Sequence, residues 1–516
     1  MNKYNLSKNS MRNILFGFIL NLLNLAGAFI SRTLLIFFLG VEYVGLEGLF
    51  SSILMMLNMA DLGFGSAIVY KLYKPIAEND TDRVCAFINY YRNIYKCVGT
   101  FIFILGILVL PFIDRLVNTN VRIDVNIKIL FFIYLLNTSL SYWMFAYKKA
   151  ILNAHQRNDL ESKINSIVVI IRYVMQVLIL YNIRNYYVYV IVLPLMTIFS
   201  NVANALLVKK YYPQYICKGR LSREEKRELK RKIIALFYDK LGIVLISGSD
   251  NIIISLFLGL TMSGIYSSYN YILNMLHKFF DVMHIAITGG IGNRIVTDST
   301  DKNYELFKLI NFGNLWLVGW CSICLCCLYK PFIMIWIGKN RALTEWFSLL
   351  MAIYFYFWMI RFGVIIFKNA QGLWWEDRFR ATIEGVFNLV LNIFLVIRIG
   401  IYGIVISTIL AMVIVSIPWE TKVLFKSYFN KSTKEYYLTV IKMTTITIIM
   451  GLFTYSLCEM IANKGITSLL LKLLICIVVP NICEGILYFR NEQFKKIRIW
   501  IYQESKTIKR RICRHN

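Results

Sequence analysis

A chain of 516 residues in which 58% of side chains are apolar and 17% charged exceeds the roughly 45–50% apolar usage of soluble domains. That excludes a string of soluble domains and points to one polytopic membrane domain. A formal net charge of +28 would suggest a nucleic-acid partner in a soluble protein, but here the cations are sorted by loop, so nucleic acid is not expected.

Fourteen apolar stretches are predicted, near 12–38, 46–70, 93–113, 126–147, 164–183, 187–208, 233–258, 264–288, 309–329, 346–367, 381–399, 402–419, 440–460 and 466–489. The first carries Arg32. The second carries Asp61 and, with Gly63 and Gly65, a hinge or a close-packing surface. The fifth carries Arg172. A basic run from Lys209 to Lys232 then precedes the seventh stretch, which holds Asp239, Lys240 and Asp250, and the eighth holds Lys278 and Asp281. Arg361 sits in the tenth and Glu384 near the inner end of the eleventh.

Shifting the sequence by 219 residues lays Phe38-Leu39-Gly40 on Phe257-Leu258-Gly259 and Gly45 on Gly264, with eight identities from Phe38 to Leu57. Pro111-Phe112-Ile113 recurs as Pro331-Phe332-Ile333. Six spans per copy is an even number, so the copies are parallel repeats, a common plan in secondary transporters. The expected division is a first lobe at 1–215, a basic linker at 216–232, a second lobe at 233–430, two further helices at 431–490 and a basic tail at 491–516. The fold class is thus an all-α membrane protein of about fourteen transmembrane helices, two six-helix bundles plus two C-terminal helices.

Of 57 Lys and Arg residues, 42 fall on one side of this arrangement, eight on the other and seven within spans. The positive-inside rule puts both termini in the cytoplasm, and the linker and tail are then expected to face anionic membrane lipids. Cys321, Cys324, Cys326 and Cys327 lie in one apolar span with no accompanying His or carboxylate and are read as buried membrane cysteines, not metal ligands. No Gly-rich phosphate loop, serine nucleophile elbow or zinc-protease motif occurs, so neither enzymatic activity nor a cofactor is expected.

Intramembrane charge is the chemistry this chain does carry. Each such residue costs about 2.5–3.5 kcal/mol at mid-helix, so it needs a wet cavity or a partner. Lys278 and Asp281 are three apart and expected to pair on one helical face, with His277 and His284 adjoining. Structural ion pairing is the alternative role for Asp61, Asp239, Asp281 and Glu384, and less so for Arg32, Arg172, Lys278 and Arg361, around which cations outnumber acids. An intramembrane carboxylate could otherwise carry H+ or Na+ as coupling ion; desolvation favours Asp61 for this, and Asp281 for a structural role beside Lys278.

Phe38-Leu39-Gly40, Gly45-Leu46, Leu49-Phe50, Asp61-Leu62-Gly63 and Leu72-Tyr73-Lys74-Pro75, followed by Glu384, Asn388, Asn392 and Gly400-Ile401-Tyr402-Gly403, resemble the polysaccharide-transporter (Wzx-type) flippases of the multidrug/oligosaccharidyl-lipid/polysaccharide superfamily. The resemblance implies a V-shaped pair of bundles, with spans one, two, seven and eight lining a cavity. It further implies a bacterial plasma-membrane protein that flips an undecaprenyl-diphosphate-linked oligosaccharide, with other polysaccharide-assembly membrane proteins as partners. Arg32, Arg172, Lys240, Lys278 and Arg361 would meet the diphosphate, and Asp61, Asp239, Asp250, Asp281 and Glu384 would serve coupling or structure. An ion-coupled drug antiporter remains a rival reading. A membrane glycan polymerase is disfavoured, because no external loop exceeds about a dozen residues.

Overall fold

The computed structural model describes residues 23–58, 64–117, 124–462 and 465–499. Among them every regular element is helical. In chain order they are α1 (Leu23–Phe38), α2 (Val41–Leu57), α3 (Phe64–Ala77), α4 (Thr81–Val109), α5 (Ile127–Trp143), α6 (Lys149–Ala154), α7 (Asn158–Asn182), α8 (Tyr186–Tyr211) and α9 (Arg223–Leu258). They continue as α10 (Leu260–Thr297), α11 (Thr300–Trp336), α12 (Glu345–Ile360), α13 (Phe362–Gln371), α14 (Arg380–Ile399), α15 (Ile401–Ala411), α16 (Ile417–Leu424), α17 (Lys434–Glu459) and α18 (Gly465–Leu487). Two compact units form, Met1–Ser268 and Tyr269–Asn516.

Local sequence sets the helix starts. Asp80, Asn126, Asn185 and Thr344 each accept backbone N–H bonds of the following turn, satisfying donors that a helix leaves orphaned. Ser222 and Glu225 form a reciprocal capping box at the head of α9. That helix continues without a break from the basic linker into the seventh predicted span.

Among the described residues nine helices are long and apolar enough to cross a membrane, ten if the bent pair Ile127–Trp143 and Ala146–Ala154 is one span; Leu23–Phe38 and Val244–Leu258 are shorter apolar helices. The count of fourteen is therefore not reproduced among the described residues. The predicted span at 46–70 is interrupted by residues outside the description, and the span at 264–288 holds His277, Lys278, Asp281 and His284, which dilute its apolar character. Only 17% of the best window of α17 is buried, and Leu438, Ile441, Ile448 and Leu452 stand exposed along it. A helix this apolar and this uncovered suits lipid.

The repeat is written into the backbone as well as the side chains. Gly40 and Gly259, 219 apart, break the chain at φ 119° and 87°. Further on, Gln156 and Gly372 both have positive φ, as do Arg184 and Gly400, each pair 216 apart. Within the first unit, three residues touch their own repeat mates. Thr261 donates to Glu42 at 3.2 Å. A Cβ on Gly45 would fall on the Leu260 carbonyl oxygen and one on Gly264 on that of Val41, both well under 3.0 Å, while Gly48 abuts the Ser267 hydroxyl. Contact between equivalent residues is the signature of a local two-fold relation, and only glycine lets the backbones approach this closely.

Candidate functional site

In the first unit, Arg32 on α1 and Arg172 on α7 come to one neighbourhood. The guanidinium of Arg172 lies 4.6 Å from the centre of the Tyr173 ring. That same ring packs on Gly27, where a Cβ would meet it at 2.8 Å. Ser31 is 3.2 Å from the Tyr189 hydroxyl, so helices α1, α7 and α8 meet around the two arginines. The Nε of Arg172 is buried without a hydrogen-bond partner, a donor whose burial is costly unless something accepts from it.

Asp250 is held by the Tyr266 hydroxyl at 2.9 Å. Next to it, Asn251 reaches Ser52 at 3.2 Å and accepts from Ser267 at 3.1 Å, which ties α9 to α2 and α10. Lys240 and Asp239 lie in the helical course of α9, with side chains outside the description, and Asp61 is outside the described residues altogether.

In the second unit Asp281 takes His277, not Lys278, as its partner, at 3.0 Å. The i, i+4 neighbour wins over the i, i+3 one because His277 is fixed, its ring stacked on Trp358 at 4.0 Å. His284 stacks on Phe362 at 3.7 Å from the same face. Lys278 is exposed, beside exposed Phe279 and Val282.

Arg361 and Glu384 belong to a cluster in which all six charges are buried or nearly so. The Arg361 guanidinium donates to both oxygens of Glu420, at 2.9 Å each, and lies 3.5 Å from Glu384. Arg380 binds Glu384 at 2.7 Å, Glu420 at 3.1 Å and Asp377 at 3.1 Å, and Lys368 pairs with Asp377. Three cations thus face three carboxylates, leaving no formal net charge. Buried ions in a low-dielectric setting persist only when matched and hydrogen-bonded in this way. Lys368, Asp377, Arg380 and Glu420 are additions to the residues that sequence reasoning singled out. Asp377, Arg380 and Glu384 follow i, i+3 and i, i+4 spacing and were legible as a helix-face series; Glu420 carried no such signal, being 59 residues from Arg361.

Among the described residues, the group with metal-ligand spacing is Cys327, Cys458 and Cys476, from α11, α17 and α18, all buried and with sulfurs within 4.8 Å of one another. Thiolates in that number would suit a soft ion. Cys321, Cys324 and Cys326 are not part of it. The first unit also has an open cavity of about 880 Å³ lined by α3, α4, α5, α6, α7 and α8.

The family model described as "Polysaccharide biosynthesis protein" matches residues 10–287. No curated protein matches the chain in sequence. Among solved structures, the lipid II flippase MurJ in an inward-closed conformation is similar with a TM-score of 0.66 at 16% identity, over 92% of this chain and 99% of that one. An inward-facing multidrug-resistance MATE family transporter of the MOP superfamily follows at 0.56 and 15% identity, over 76% and 93%. The MATE transporter VcmN of Vibrio cholerae gives 0.52 at 12%, over 80% and 97%. At such identities the likeness is one of fold. With the family model covering more than half its length, the chain belongs to the polysaccharide biosynthesis protein family.

Proposed function

We propose that this protein is a flippase that moves an undecaprenyl-diphosphate-linked oligosaccharide across the bacterial plasma membrane by alternating access, for assembly of a surface polysaccharide. Family membership supports the polysaccharide part of this reading. The observation that carries the cargo class is the meeting of α1, α7 and α8 where Arg32 and Arg172 lie, through Ser31 with Tyr189 and through Arg172 on Tyr173, which packs on Gly27. A diphosphate leaving water needs cationic, hydrogen-bonding partners, and guanidinium groups suit phosphate oxygens best. Lys278, exposed on α10, is a further candidate contact, and Lys240 remains one on sequence grounds. Arg361, locked onto Glu420 and Glu384, is assigned instead to holding its unit together. Asp61 is proposed to carry the coupling ion, H+ or Na+.

The proposed topology keeps both termini and the loop at 209–232 in the cytoplasm, with the two lobes at 1–215 and 233–430. Deletion of the gene in its host, complemented by Arg32→Ala or Arg172→Ala, tests the reading. Surface glycan is expected to fall and lipid-linked intermediates to accumulate at normal protein abundance. An ion-coupled antiporter of cationic drugs would instead leave glycan export intact and alter drug tolerance.

A further inference from the structure

The cavity of the first unit is lined by several tyrosines. Tyr91 and Tyr95 of α4 lie 4.3 Å apart between ring centres and Tyr95 and Tyr142 5.2 Å, with the ring planes steeply inclined; Tyr70 and Tyr73 of α3 extend the lining. Polar side chains line it as well: Asn153, Ser200 and Asn201, along with Lys149 and Glu161. Lys149 and Glu161 stand 4.0 Å apart, too far for a good hydrogen bond, so each retains capacity for a third group. Asn201 reaches its backbone partner, the Ser141 carbonyl, only at 3.5 Å. At about 880 Å³ the space falls within the range of small-molecule sites.

From this we infer that the cavity is a second binding site, one for the uncharged sugar portion of the cargo, separate from the arginines that would meet its diphosphate. A pyranose offers a C–H face that aromatic rings cover and a rim of hydroxyls that need both donors and acceptors. Tyrosine rings with amides, a carboxylate and an ammonium supply that combination. The single cation is matched by Glu161, so the cavity has no surplus charge to favour a phosphate. In the proposed topology the lining ends of α3, α6 and α7 lie on the cytoplasmic side, where the cargo is made. The inference rests on the flippase reading for its cargo, but it concerns a different set of residues.

Its test uses the full chain in lipid nanodiscs and titrates two probes by calorimetry. One is the phosphate-free oligosaccharide released by mild acid from the host's own lipid-linked pool; the other is undecaprenyl diphosphate without sugar. The free oligosaccharide should bind saturably and weaken at least about tenfold in Tyr95→Ala and in Asn201→Ala. Tyr95→Phe, which keeps the ring, should retain most of the binding, and the sugar-free lipid should be indifferent to all three. Chromatographic profile and melting temperature establish that each variant is folded; if Tyr95→Ala is not, Asn201→Ala and Glu161→Gln carry the test. Oligosaccharide binding unaffected by these changes, or absent, overturns the inference, and flipping that persists in such a protein leaves the flippase reading standing. Binding of ethidium that depends on Glu161 and competes with the oligosaccharide also overturns it, marking the cavity as an organic-cation site. Loss of all flipping of the lipid-linked cargo by wild-type protein would instead remove the flippase reading itself.

Discussion

At the scale of single residues, two kinds of intramembrane arginine separate. Arg361 gives its guanidinium to Glu420 and Glu384 in a buried, charge-balanced cluster, so Arg361→Ala leaves three buried carboxylates facing only Arg380 and Lys368. Removing one partner of a buried pair costs about 3–5 kcal/mol, and folded protein in the membrane is expected to drop sharply. Arg32→Ala and Arg172→Ala should leave abundance and melting temperature near wild type while reducing export; fluorescence-detected chromatography beside glycan immunoblotting reads both. Equal loss of abundance in all three would assign Arg32 and Arg172 to structure. The sequence marked each of these residues as ionisable within an apolar stretch, because that follows from position alone. It left their roles open, because a role depends on partners such as Glu420 that lie far along the chain. Asp281 shows the same limit at short range, where spacing allowed both His277 and Lys278 and stacking on Trp358 decided.

At the scale of elements, the crossing of α2 with the start of α10 is the most constrained point described. Gly45→Val or Gly264→Val would drive a side chain into a backbone carbonyl of the facing helix, which cannot swing aside as a side chain does. Gly48→Ala presses closely on the Ser267 hydroxyl, a group that rotates away, and meets Asn251 at ordinary contact distance. Protein yield should therefore collapse for the two valine variants and hold for Gly48→Ala; good yield of Gly45→Val would contradict the crossing. The head of α9 offers a milder test. Burial alone would raise the Glu225 carboxyl, but hydrogen bonds from Ser222 and pairing with Arg83 bring it below its ordinary value. A depressed carboxylate contributes stability that is complete above its ordinary pKa and fades as pH falls through the depressed one. The pair is partly exposed and contributes at most about 1 kcal/mol. Hydrogen exchange at residues 223–229 should thus quicken, relative to the intrinsic rate, as pH is lowered below the ordinary glutamate range, and Glu225→Gln should abolish that response.

At the scale of the whole molecule, the repeat was legible because duplicated sequence retains register: the 219-residue shift reappears in the paired breaks at Gly40 and Gly259 and in contacts between repeat mates. The later drift to 216, seen at Gln156 with Gly372 and Arg184 with Gly400, is marked in sequence only by scattered identities, such as Asn153-Ala154 on Asn369-Ala370 and Tyr186 on Tyr402. The helical class and the membrane setting followed from composition. The tyrosine-lined cavity did not, since its walls come from six helices and each tyrosine alone reads as ordinary apolar packing. For topology, single cysteines at Lys226 and at Lys339, in a background freed of native cysteine, should be labelled from opposite sides of the membrane. Labelling of both from outside would invert the charge-based orientation.

The central claim, transport of a lipid-linked glycan with the two arginines of the first unit on its diphosphate, is tested most directly in vesicles. Purified protein is reconstituted with a fluorescently tagged undecaprenyl-diphosphate oligosaccharide, and its exposure on the opposite leaflet is followed with a membrane-impermeant quencher. Wild-type protein is expected to accelerate exposure over empty vesicles, and Arg32→Ala and Arg172→Ala, equally well folded, to lose most of that acceleration. Exposure at the wild-type rate in both variants, or no acceleration by the wild type, would contradict the account.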